Sequence, residues 1–134
     1  MNKIVFYKNS QGYSDLKTYF DFLAAQGTKD SRVKLKKSKE FLILLMQHGR
    51  GIGEPYIKPL NTRYDLWELR PTNLRILFYC YNDTTFILLN YYLKKSNKTP
   101  IKEIKKAINI IKLIKERGFN EEDVWFDWWI IWKC

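Results

Sequence analysis

The chain has 134 residues, enough for one domain with a buried core, and its 46% hydrophobic and 28% charged content is that of an ordinary soluble protein. Two biases stand out: 16% aromatic residues, and a formal charge of +10 from 24 Lys+Arg against 14 Asp+Glu. A charge of that size favours polyanion partners, nucleic acid ahead of membrane, with solubility alone as the plain alternative.

The strand KIVFY (3–7) comes first. Segment 14–25, SDLKTYFDFLAA, reads as a helix: Ser14 caps it, Leu16, Tyr19, Phe20 and Leu23 recur at helical spacing, and Gly27 ends it. A second helix runs from about Asp30 to His48 and is stopped by GRGIG. Its charged first half gives way to FLILLM, the composition of a buried end. After a Gly/Pro loop the pattern switches to period two, with strands expected over 56–60, 64–70, 74–82 and 85–93 and a hairpin turn at Asn82-Asp83. Pro100 opens a last helix. Ile101, Ile104, Ile108 and Ile111 mark one face of it, Lys102, Lys105, Lys106, Lys112 and Lys115 mostly the other, and Gly118 closes it. The order strand, helix, helix, strands, helix predicts an α+β domain with helices packed on an antiparallel meander. The segment EEDVWFDWWIIWKC (121–134) holds four of the five tryptophans. It is too short to span a bilayer and too apolar for a solvated tail, so residues 120–134 are set apart from a domain at 1–119, their role open.

The two cysteines, Cys80 and Cys134, make no CxxC or Cys/His cluster, and His48 is the single histidine. Neither a disulfide scaffold nor a metal site is indicated, and no cofactor is expected. MNKIVFYKNSQ lacks the apolar run of a signal peptide, and no window reaches the length of a membrane span. The expected compartment is the cytoplasm.

Charges interrupt the best hairpin, LWELRPTNLRILFYCY (66–81). Strict alternation puts Glu68 and Arg70 on one face of their strand, Arg75 and Tyr79 on one face of the next, and Asn90, Tyr92 and Lys94 on one face of the last. In one sheet these faces converge. The gathered groups suit RNA cleavage. Arginines clamp a phosphate, lysines stabilise charge, a carboxylate or tyrosine moves protons, and aromatics stack on splayed bases. The plainer alternative is a cross-strand ion pair between Glu68 and an arginine on a solvated face, with Tyr79, Tyr81, Tyr91 and Tyr92 as packing residues. KKSNKTPIKEIKK (94–106) carries six lysines, either a solvated helix face or a phosphate-binding rim.

The segments WELRP, LRILFYCY and LLNYYLKKSNKTPIKEIKKA, preceded by GEPYIKPL, resemble the HigB branch of the RelE/ParE toxin superfamily over residues 3–118. The combination of Glu68-Leu69-Arg70, Arg75-Ile76-Leu77, Lys94-Lys95, Lys98-Thr99-Pro100 and Glu103-Ile104 is the specific part. The resemblance implies a RelE-like fold: two N-terminal helices and a C-terminal helix on a small, antiparallel-rich sheet. It implies the toxin of a type II toxin–antitoxin pair, a ribosome-dependent mRNA endoribonuclease that uses the 2′-hydroxyl as nucleophile and needs no metal. Its partners are then a helix-turn-helix (HigA-like) antitoxin, mRNA on the ribosome and ribosomal RNA, with no membrane. Arg75 matches the family's arginine on the scissile phosphate, Arg70 the arginine of ELR, and Lys95 or Lys94 its second cation. Glu68 falls where RelE has a lysine and Asn90 where relatives usually have histidine. The expected catalytic set is Arg70, Arg75, Lys94, Lys95, Glu68 and Tyr92; the expected RNA contacts are Lys58, Tyr79, Asn90, Tyr91, Lys98 and Lys102. Two rivals share the fold: a non-enzymatic ParE-like toxin that poisons a protein such as gyrase, and an inactive regulatory homologue.

Overall fold

The computed structural model of the chain describes residues 2–119. The Trp-rich segment and its separation from the domain lie outside the described residues. In chain order the elements are β1 (Lys3–Phe6), α1 (Asp15–Gln26), α2 (Lys29–His48), β2 (Ile57–Asn61), β3 (Leu66–Leu69), β4 (Leu74–Asn82), β5 (Thr85–Leu93) and α3 (Ile101–Arg117). Local chemistry sets the helix ends. Ser14 Oγ accepts the Lys17 N–H at 3.2 Å and starts α1, and Gly27 ends it in the left-handed region at φ 71°. Thr28 Oγ1 accepts the Ser31 N–H and starts α2. Gly49 closes α2 at φ 62°, where a Cβ would lie 3.1 Å from the Asn2 side chain.

The five strands form one sheet in the order β1-β5-β4-β3-β2. Four of them are the antiparallel meander expected from the sequence. The fifth joins it at the edge: β1 pairs parallel with β5, Val5 opposite Ile87, because α1 and α2 carry the chain over one face before the meander begins. The strand expected from residue 64 opens at Leu66. Asn61 Oδ1 accepts the Tyr64 N–H and Asp65 sits at φ 51°, so residues 62–64 make a short 3-10 turn.

Each face of the sheet has its own core. Under α1 and α2 lie Ile4, Phe6, Leu69, Ile76, Phe78, Phe86 and Leu88, packed against Leu16, Phe20, Leu42 and Leu45. Under α3 lie Leu66, Leu77, Tyr79, Ile87 and Leu89, packed against Ala107, Ile111 and Ile114. The two faces are set by a bulge that strict alternation missed. Leu77 pairs with Asn90, but Phe78 pairs with Leu88, so Leu89 is the extra residue. Leu89 and Asn90, adjacent in sequence, therefore both serve the α3 side. Phe86 and Leu88 belong to one face of the sheet, Asn90 and Tyr92 to the other. Strict alternation along 86–94 would put all four on one face; the bulge separates them and delivers Asn90 and Tyr92 to the side of Glu68 and Arg75.

Candidate functional site

The register aligns the polar positions. Glu68 lies opposite Leu77, which lies opposite Asn90, and Arg75 lies opposite Tyr92. Glu68 is the hub. Tyr92 Oη donates to its Oε2 at 2.7 Å and Thr99 Oγ1 donates to the same oxygen at 2.9 Å. Its Oε1 faces two guanidiniums, with Arg70 Nε and Arg75 Nε each at 3.8 Å. The Glu68–arginine pairing is real, but the solvated face is not. Glu68 is 3% exposed and Arg75 7%, because Tyr92 and the Thr99–Pro100 entry to α3 close over them.

Arg75 is held from behind. Its Nη1 donates to the Thr72 carbonyl at 2.6 Å and to the Leu74 carbonyl at 3.1 Å. Thr72, in the β3–β4 turn, sits at φ 54°, an unfavourable region for a β-branched residue. The carbonyl at that turn is the one that accepts from the guanidinium. Burial lowers the Arg75 pKa from the usual arginine range and the Arg70 charge adds to this, while Glu68 and Tyr92 oppose it. Burial, reinforced by the Glu68 hydrogen bond and charge, pushes the Tyr92 phenol up to about 12, with Thr99 and Arg75 acting the other way. Tyr92 therefore keeps its proton at neutral pH.

Asn90 is 1% exposed. Its Nδ2 donates to the Glu103 carbonyl at 3.2 Å and to Glu103 Oε1 at 3.1 Å, which ties the first turn of α3 to β5. The positive end of α3 thereby sits beside the cluster. Lys58 pairs with Glu68 across the β2–β3 ladder and is exposed on the same side. Lys94, Lys95 and Lys98 are exposed in the loop that Thr99 anchors to Glu68, and Lys102 is exposed on the first turn of α3.

Glu68, Arg70, Arg75 and Tyr92 are thus brought together, with Asn90 one pair away and Lys58, Lys94, Lys95, Lys98 and Lys102 as exposed neighbours. Two expected RNA contacts are not. Tyr79 pairs with Leu66 and is buried under α3, one of the plain packing tyrosines. Tyr91 is on the opposite face and stacks on Tyr19, ring centroids 4.5 Å apart. Three contributors went unread in the sequence: the Thr99 hydroxyl, the Glu103 side chain and the Thr72 carbonyl. Thr99, immediately before the Pro100 that opens α3, carried the one available signal, a hydroxyl at a loop-to-helix junction.

Two guanidiniums sharing one carboxylate leave a net positive centre, and the lysines extend it. The arrangement offers an anion bidentate-capable donors with a protonated phenol beside them. Among the described residues no group of three or more His, Cys, Asp or Glu side chains is placed to hold a metal ion, and no helix is long and apolar enough to cross a membrane. Cys80 is a buried free thiol.

A five-stranded, mostly antiparallel sheet carrying three helices in the described residues, with its cationic cluster on the α3 side, is compatible with a RelE-like fold. Residues 29–112 match the family described as phage-derived protein Gp49-like (DUF891), and the chain belongs to that family, which is part of the RelE/HigB-like toxins. No curated protein matches the sequence. A toxin-like family implies an antitoxin partner.

Proposed function

We propose that this protein is a HigB-type toxin that cuts mRNA on the ribosome, blocks translation and arrests growth until a helix-turn-helix (HigA-like) antitoxin binds it. The observation that carries the reading is the meeting of Arg70 and Arg75 on one carboxylate oxygen at 3.8 Å each, beside a phenol that keeps its proton.

The chemistry follows from these contacts. A phosphodiester entering the cluster competes with Glu68 for the two guanidiniums. It takes up their donors and the lysine charges, which suit the equatorial oxygens of the phosphorane. Glu68 Oε1, freed of its two guanidinium contacts, accepts the proton of the ribose 2′-hydroxyl. The 2′-oxygen forms the new bond to phosphorus and the bond to the 5′-oxygen breaks. Tyr92 gives its proton to that oxygen, a stronger base than a phenolate. The products are a 2′,3′-cyclic phosphate and a 5′-hydroxyl. Glu68 and Tyr92 share a hydrogen bond, so the proton returns from the carboxyl to the phenolate and the site resets. The nucleophile is internal to the RNA, so the step needs no metal to generate it.

Burial of Glu68 and Arg75 favours a second reading, in which the cluster is structural and the toxin acts by binding a protein such as gyrase, or serves only as a regulatory homologue. Expression of wild type and Arg75→Ala from a tight promoter separates them. The nuclease reading expects wild type to arrest growth and leave new 5′-hydroxyl ends in translated mRNA, with both lost in the variant. Equal arrest by both proteins, or DNA breaks in place of RNA ends, sinks it.

A further inference from the structure

A second cationic cluster lies at the other end of the α3 side. The Arg63 guanidinium carbon is 5.7 Å from the centroid of the Tyr64 ring, Lys112 Nζ is 6.0 Å from it and Lys115 Nζ 5.6 Å. Three like charges around one ring repel one another. Lys34, Lys37 and Lys106, by contrast, each have a carboxylate beside them: Asp30, Glu40 and Asp15. Among the described residues none of Arg63, Lys112 and Lys115 is ion-paired. The ring is half-buried and packs by one side on the α3 core, and the three cations are exposed. The patch therefore presents uncompensated charge and one aromatic surface to a polyanion.

Its position connects it to the first cluster. Tyr64 packs on the α3 core, on the side of the sheet that carries Glu68. α3 borders both, with Thr99 and Glu103 at one end and Lys112 and Lys115 at the other. Helical spacing puts Lys105 on the Lys112 stripe, two turns earlier. Lys58 and Leu60 alternate on β2 along the same strip.

We infer that Arg63, Tyr64, Lys112 and Lys115 form a binding site for single-stranded RNA, the ring stacking on a base and the cations holding the adjoining phosphates. This rests on the reading of RNA as substrate and extends it to a second contact on the same strand. A basic groove with an interleaved aromatic is how single strands are held without sequence preference.

Fluorescence anisotropy with a 2′-O-methyl RNA of about 12 nucleotides tests it, because that probe binds but lacks the 2′-hydroxyl needed for cleavage. Lys112→Gln with Lys115→Gln is expected to raise Kd about tenfold. The slope of log K against log salt should fall in magnitude by about 1.4, two phosphate contacts' worth on a single strand. Tyr64→Leu, which keeps an apolar side chain against the core, is expected to weaken binding about fivefold or more, the loss of one stacking base. Lys29→Gln with Lys36→Gln, the same charge change on α2, should stay within about twofold. Unchanged binding in the patch variants, or an equal loss in the α2 control, overturns the site; in the first case the cations are left for an acidic protein. Because the probe is not cut, this result stands apart from the Arg75→Ala cleavage test.

Discussion

The two faces of the sheet differ in kind. Beneath α1 and α2 the strands bury only apolar groups, with Phe78 and Phe86 edge to face at 5.9 Å in the centre. Beneath α3 the apolar packing of Leu66, Leu77, Ile87 and Leu89 stops part-way. The remainder is given to Glu68, Arg75, Asn90 and Tyr92. An apolar face is stabilised by area removed from water, at about 25 cal/mol per Å². A buried polar face loses hydration and recovers it only through a complete set of partners. Glu68 Oε2 has hydrogen-bond partners in Tyr92 and Thr99, while Arg70 Nε and Asn90 Oδ1 are buried without hydrogen-bond partners among the described residues. One face is built for stability. The other gives some of it up to a buried polar cluster.

The sharpest way to break this contrast is to change chemistry on one face and packing on the other. Glu68→Gln keeps shape and hydrogen-bond acceptance but removes the charge. RNA cleavage by the folded protein is expected to fall by about 10²–10⁴-fold, the range of a lost general base, beyond the stability lost by leaving Arg75 buried without its carboxylate. Cleavage at the wild-type rate would make the carboxylate structural. Phe78→Ala should do the reverse: about 3–5 kcal/mol lost in chemical denaturation, with RNA ends still produced by whatever fraction stays folded.

Tyr92→Phe should cost about 1 kcal/mol through the missing hydroxyl and reduce cleavage. It should also alter the alkaline limb of stability. In the fold the phenol holds its proton up to about 12, against 10.0 ordinarily. Between those pH values the unfolded chain releases this proton first, so rising pH destabilises the folded state across that window. Denaturation curves of wild type should therefore fall more steeply from pH 10 to 12 than those of the variant. Parallel curves would remove Tyr92 from the buried network. The smallest effect belongs to the turn. Thr72→Gly relieves the positive φ and should raise stability by about 0.5–1 kcal/mol while loosening the carbonyl that holds Arg75. A stabilised variant with undiminished cleavage would show that the strain serves no purpose at the site.

Much of this was legible in the residues. Helical spacing, Ser14, Gly27, Pro100 and Gly118 located the helices to within a residue or so, because caps and periodicity are local physics. Glu68, Arg70 and Arg75 could be singled out because charges inside short apolar strands conflict with burial unless they meet. The bulge was not legible. FILLNYYL has no glycine or proline to mark it, and Leu88 and Leu89 are chemically alike, so nothing local says which one is unpaired. Tyr79 and Tyr91, expected among the RNA contacts, take packing positions, and a tyrosine serves equally in a core and on a binding surface.

The order of elements, the cationic excess and the types of group available for chemistry were properties of the sequence by itself, since propensity, capping and charge act over a few residues. Which groups meet was decided only by the tertiary structure. The Leu89 bulge turns Asn90 and Tyr92 toward α3, and Thr99 reaches Glu68 across 31 residues of chain. Contacts of that kind depend on strand register and helix docking, which are fixed by the packing of the whole core and by no short stretch of it.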